Sequence, residues 1–129
     1  MADFGFLPNL VASGDINPFR FVELSGAWSG SQANAASDNI IGVTDGSVRR
    51  FDSAFNAISG DPINFQPSNT VQVELGTGGC TAGNLLTSDA NGKAVAGVNP
   101  QVCYYIALET GAAGEIVRAF RIGTRIVPA

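Results

Sequence analysis

Val71–Val95 reads VQVELGTGGCTAGNLLTSDANGKAV. Val71-Gln72-Val73-Glu74-Leu75 alternates apolar and polar residues, as a strand with one buried and one wet face does. Gly76, Gly78 and Gly79 then break the pattern. Asp89-Ala90-Asn91-Gly92 follows, where an Asn-Gly pair supplies the positive-φ residues of a tight hairpin turn. Lys93-Ala94-Val95 reads as the returning strand. Strand, glycine-rich corner, short strand and tight turn within one window predict a small β-domain and no active site.

Outward from that window the same punctuation recurs. Ser13-Gly14-Asp15 is a turn, and Ile16–Leu24 is strand-like with Phe19 and Phe21 on one face and Arg20 on the other. Pro18 makes this strand start late or lie at an edge. Residues 26–38, GAWSGSQANAASD, form a loop or a ragged hairpin. Trp28 within them either plugs the end of the core or anchors a contact, and the plug is the expectation. Asn39–Thr44 is a buried strand closed by Asp45-Gly46. Val48, Phe51, Phe55 and Ile58 recur at helical spacing, which predicts a short helix near residues 48–58 with Arg49 and Arg50 off its apolar face. Ile63-Asn64-Phe65 starts a strand that Pro67 breaks. Val102–Leu108 is a continuous apolar strand. Glu115–Ile122 alternates without a purely apolar side, so both its faces are expected to be partly covered. The fold expected is all-β, one domain over residues 1–129: a β-barrel or sandwich body over 12–129 and an extended N-terminal arm over 1–11. Phe4, Phe6 and Leu7 make that arm apolar, suited to lying on a neighbouring chain or to covering its own barrel.

A chain of 129 residues buries roughly two-thirds of its unfolded surface on folding, enough for a core without staples. Sixteen glycines, six prolines and 14% charged residues favour turns and short strands over long solvated helices. A net charge of −4 and scattered cations argue against nucleic acid, whose phosphates are held by clustered Lys and Arg. No apolar run approaches the ~18 residues of a membrane span. Met1-Ala2-Asp3-Phe4 lacks the basic start and apolar stretch of a signal peptide, so synthesis in a cytoplasm is expected. In that compartment Cys80 and Cys103 are expected as buried free thiols, pairing only if their strands are adjacent.

The chain contains no histidine, which removes Ser-His and Cys-His nucleophile pairs and every histidine-based metal site. Two cysteines without CxxC spacing do not make a zinc site. Gly76-Thr77-Gly78-Gly79 is followed by no Gly-Lys-Ser/Thr, so it is not a phosphate loop, and Thr81 replaces the last glycine of a dinucleotide fingerprint. Asp89 and Asn91 open like a calcium loop, but its twelfth position is Pro100 and not a carboxylate. No spacing among the carboxylates selects an acid–base pair. A non-enzymatic protein without cofactor or metal is expected.

Beyond turn chemistry, the run Leu75–Val95 resembles the central signature of small tailed-bacteriophage capsid decoration (cement) proteins. In that family a strand ending in leucine-glycine leads to a threonine-alanine-glycine corner, here Thr81-Ala82-Gly83. A leucine and a serine-aspartate-x-x-glycine-lysine turn follow, here Ser88–Lys93. Ile106–Arg118 is similar to the family's closing segment, and Ile41–Gly46 with Arg49-Arg50 matches more loosely. The resemblance covers about Ile40–Ile122. Cys80 stands where a β-branched residue is usual, and the arm and the Trp28 loop have no counterpart. The resemblance implies a β-barrel-like protein on the outer capsid surface of a virion, commonly a homotrimer, clamping neighbouring major capsid protein subunits after synthesis in the host cytoplasm. The residues expected at capsid or trimer contacts, from their apolar or cationic character outside the strand pattern, are Phe4, Phe6, Leu7, Arg49 and Arg50. The alternative is a phage fibre or carbohydrate-binding β-module, for which Trp28, Tyr104 and Tyr105 are the available aromatics.

Overall fold

The computed structural model describes residues 9–36, 39–48 and 54–128, and there the alternating stretches become short strands. They are β1 (Val11–Ala12), β2 (Phe21–Gly26), β3 (Ser29–Gln32), β4 (Ile40–Val43), β5 (Thr70–Glu74), β6 (Leu85–Ser88), β7 (Ala94–Ala96), β8 (Val102–Ala107) and β9 (Ile116–Ile126). Two sheets result, a four-stranded one in the order β1-β3-β2-β4 and a five-stranded one in the order β5-β9-β8-β6-β7. The fold is all-β, a sandwich. A parallel bridge Leu75–Ala94, with the Gly76 N–H donating to Ala94 O at 2.8 Å, joins the edge strands of the larger sheet at one end.

Period-two burial explains which faces meet. On β5, Val71 and Val73 point inward, and on β8 so do Cys103, Tyr105 and Ala107. All of these but Cys103 pack with Val117 and Ala119 of β9 against Phe21, Ile40 and Val43 of the smaller sheet and Ala33 just after β3. The Phe21 and Tyr105 rings lie 5.4 Å apart and tilted by 48°, a separation at which aromatic pairs add to area burial.

The smaller sheet is covered on its other face as well. Val22, adjacent to Phe21 and therefore on the opposite face, belongs to a second cluster with Leu10, Ala12, Ile16, Ala57, Ile63 and Phe65. Gly42 lies opposite Val22 in register. A Cβ on Gly42 would sit 2.8 Å from the Phe65 ring, so the glycine is what lets the 63–65 segment lie flat on the sheet. Segments without regular secondary structure thus form a third layer.

Several sequence expectations are corrected here. Residues 54–58 of the expected helix near 48–58 are a bend and a bridge from Ala57 to Ile16, with no helical turn; residues 49–53 lie outside the described residues. Phe55 and Ile58 are half-buried on an irregular segment. The strand expected at Ile16 begins at Phe21, because Phe19 takes a left-handed φ of 58° and breaks it. Of the two forms expected over residues 26–38, the hairpin is the one present and needs no correction: β2 and β3 pair with Gly26 opposite Ser29, and residues 37 and 38 lie outside the described residues. In the opening window the β6–β7 turn spans five residues, since Ser88 pairs with Ala94, and of the Asn-Gly pair only Gly92 has positive φ (74°). Finally, β9 is not covered on both faces. Val117 and Ala119 are buried while Ile116 and Phe120 stand 45% and 41% exposed.

Candidate interaction surface

Partly buried polar side chains between the strands hold the layers in place. Glu74 at the end of β5 accepts from Arg20 at 3.2 Å and pairs with Lys93 at 3.3 Å. Arg20 also donates to Asn91 O at 3.0 Å, and the Phe21 N–H donates to Gly92 O at 2.8 Å. The β6–β7 turn that the sequence marked is thereby docked on the start of β2. Asp89 Oδ1 accepts from the N–H groups of Asn91 and Lys93 at 2.8 and 2.9 Å, an Asx-type closure. The glycine-rich corner is geometric. Gly78 and Gly79 take φ of 91° and 60°, and Cys80 and Gly111 exchange backbone hydrogen bonds of 2.9 and 3.0 Å.

Both cysteines are free and buried, as expected. Burial raises both thiol pKa values above their ordinary range, offset at Cys80 by a hydrogen bond from the Gly111 backbone. Such thiols are poor nucleophiles. Burial likewise raises the Tyr105 phenol, against the opposing pull of the Arg121 guanidinium bonded to its oxygen at 3.0 Å. At the surface Arg118 donates twice to Glu109, at 3.1 and 2.7 Å, and this lowers the Glu109 pKa. Among the described residues no three His, Cys, Asp or Glu side chains gather as a metal site. No helix among them is long and apolar enough to cross a membrane.

What the surface offers is contact area. Trp28 is 72% exposed at the tip of the β2–β3 hairpin, which overturns the expected plug and leaves the contact anchor. Its φ of 57° is one of two positive values among the described residues other than glycine. Beside it the Val11 N–H donates to Trp28 O at 3.0 Å. Because β1 runs parallel to β3, with Val11 opposite Ser29, β1 begins beside the hairpin tip. The expected contact residues Phe4, Phe6, Leu7, Arg49 and Arg50 all lie outside the described residues. On the larger sheet, Thr70, Phe120, Ile106 and Leu85 stand side by side across β5, β9, β8 and β6 on the outward face. At one end of this row Leu85 and Ile106, with Val127, Pro128, Asn84 and Arg125, line a groove of about 310 Å³. The sequence signal for that face is the outward parity of β8 and β9, with Ile106, Ile116 and Phe120, and the continuous apolar run of β8 conceals it.

The aromatics available to a sugar-binding face do not assemble. Tyr105 is 2% exposed in the core, Tyr104 is half-buried, and Trp28 belongs to the other sheet.

No known family profile matches the chain, and no curated protein matches it. Among solved structures the chain is similar to the head fiber gp8.5 N base of bacteriophage phi29, with a TM-score of 0.63 and 19% identity over 93% of this chain and 96% of that one. The likeness establishes a shared fold across nearly the whole of both chains.

Proposed function

We propose that this protein is a structural component of a phage head: a non-enzymatic decoration protein that binds the outer capsid surface and stabilises contacts between major capsid protein subunits. The observation that carries this reading is the fold shared along almost the full length with a phage head-fiber base. The resemblance of Leu75–Val95 and Ile106–Arg118 to capsid decoration proteins supports it from the sequence. A DNA-filled shell is under outward pressure, and a small oligomer bridging several subunits gains through multivalency what each contact lacks. The exposed Trp28 suits such a contact, since tryptophan is enriched among residues that dominate interface energies. The negative charge suits a partner other than nucleic acid.

A second reading, the base of a head fibre, is favoured by the name of the matched structure itself. Purified protein added to undecorated heads and sedimented with them tests the first reading. Saturating binding at many copies per head, with raised heat resistance of the shell, is expected of a decoration protein. Binding at a few sites without added resistance supports the fibre base, and no binding rejects both.

A further inference from the structure

The groove on the outward face of the larger sheet has a mostly apolar lining with Arg125 as its one charged residue among those described. Leu85 and Ile106 are cross-strand partners on β6 and β8, and Val127, Pro128, Asn84 and Arg125 line the groove with them. Its volume of about 310 Å³ exceeds that of one phenyl side chain. An occupant that fits is an aromatic residue next to a carboxylate. The chain ahead of Asn9 carries that pairing once, in Asp3-Phe4, within MADFGFLPN.

The two features lie on opposite sides of the molecule. Leu10 packs in the cluster on the outward face of the smaller sheet, with Val22 and Phe65. The groove lies on the outward face of the larger sheet, beyond the main core. Sheets and covering layers stack about 10 Å apart, so the straight depth between them is about 20 Å and the way round the edge is longer. Residues 4–9 fully extended span at most about 22 Å, which leaves almost nothing for a path round the sheet edge. A chain therefore cannot readily fill its own groove.

We propose that the groove is the receptor for the N-terminal segment of a second copy, with Phe4 entering between Leu85 and Ile106 and Asp3 paired with Arg125. The contact is heterologous, one face of a copy meeting a different face of the next, and such contacts close into rings when the rotation permits. This deepens the small oligomer of the function proposed above and rests on that reading. It gives the apolar arm a partner within the assembly and leaves the Trp28 tip for the shell.

Sedimentation of the full chain and its variants, without heads, tests this. The full chain is expected to associate. A variant lacking residues 2–8 and an Ile106→Glu variant are each expected to be monomeric, with strand spectra unchanged. Mixed in equal amounts they are expected to form a dimer that grows no further, because only one arm and one groove remain intact between them. Asp3→Arg and Arg125→Glu are each expected to weaken association about tenfold or more, and the double variant to recover it. This exchange of surface charges keeps the test decisive if Ile106→Glu fails to fold. A monomeric full chain, undiminished association without residues 2–8, or a double variant no better than the singles would overturn the proposal. Head binding is measured separately, so a monomer that still coats heads sinks this inference while sparing the function.

Discussion

Trp28 holds φ at 57° with most of its ring in solvent. A left-handed conformation costs a bulky L-residue about 1–2 kcal/mol, whereas Asn tolerates it. Trp28→Asn is expected to raise the unfolding free energy by about 1 kcal/mol in urea titrations. The same change should weaken the proposed head binding at least about tenfold, as loss of an interface anchor does. A variant that is more stable and binds heads undiminished would remove Trp28 from the interface. Cys80, Cys103 and Tyr105 have pKa values raised by burial above ordinary values of 9.0, 9.0 and 10.0. The fold therefore favours their protonated forms. That contribution is intact below about pH 9 and is lost as pH rises through the folded-state values. Stability should fall above pH 9, with no earlier step from histidine. A thiol reagent should find no reactive cysteine in the native protein at neutral pH and both after unfolding.

Gln66 shows how an element's edge is protected. Its side-chain amide donates to Thr44 O at 3.0 Å and Gln72 O at 2.6 Å and accepts from the Gln72 N–H at 2.7 Å. One side chain thus occupies the open edge of β5 and ties it to the end of β4. Gln66→Ala is expected to cost about 2 kcal/mol in chemical denaturation and to promote edge-to-edge association. Gln66→Glu should rescue little, because a carboxylate cannot donate to the two carbonyls. The strands were legible wherever period two was clean, as in Val71–Leu75 and Val102–Leu108. The corner at Gly76–Gly79 was legible because glycine takes the required φ. Elsewhere tertiary contacts decided. Phe19 leaves the strand so that its carbonyl can accept from the Glu74 N–H at 3.0 Å. Residues 54–58 take the form of the sheet they cover, and the Trp28 hairpin turns through a residue that turn chemistry does not favour. The candidate surface was the least legible part. Of its members only Trp28 stood out from its surroundings, while Leu85 and Ile106 look like any core residues until strand pairing sets their face.

At the scale of the molecule, two sheets and an irregular third layer bury one side of the body and leave the groove, the Phe120 row and the Trp28 tip on others. A sandwich that exposes separate apolar features on separate sides is suited to bridging several neighbours at once, which is the work proposed for it on a capsid. The neighbours proposed are the subunits of a phage shell, and electron-microscopic reconstruction of heads incubated with the purified protein tests this most directly. Density for the two-sheet body is expected over the outer surface, each copy touching more than one major capsid subunit with the Trp28 tip turned toward the shell. Heads whose outer surface stays bare at saturating protein would contradict it.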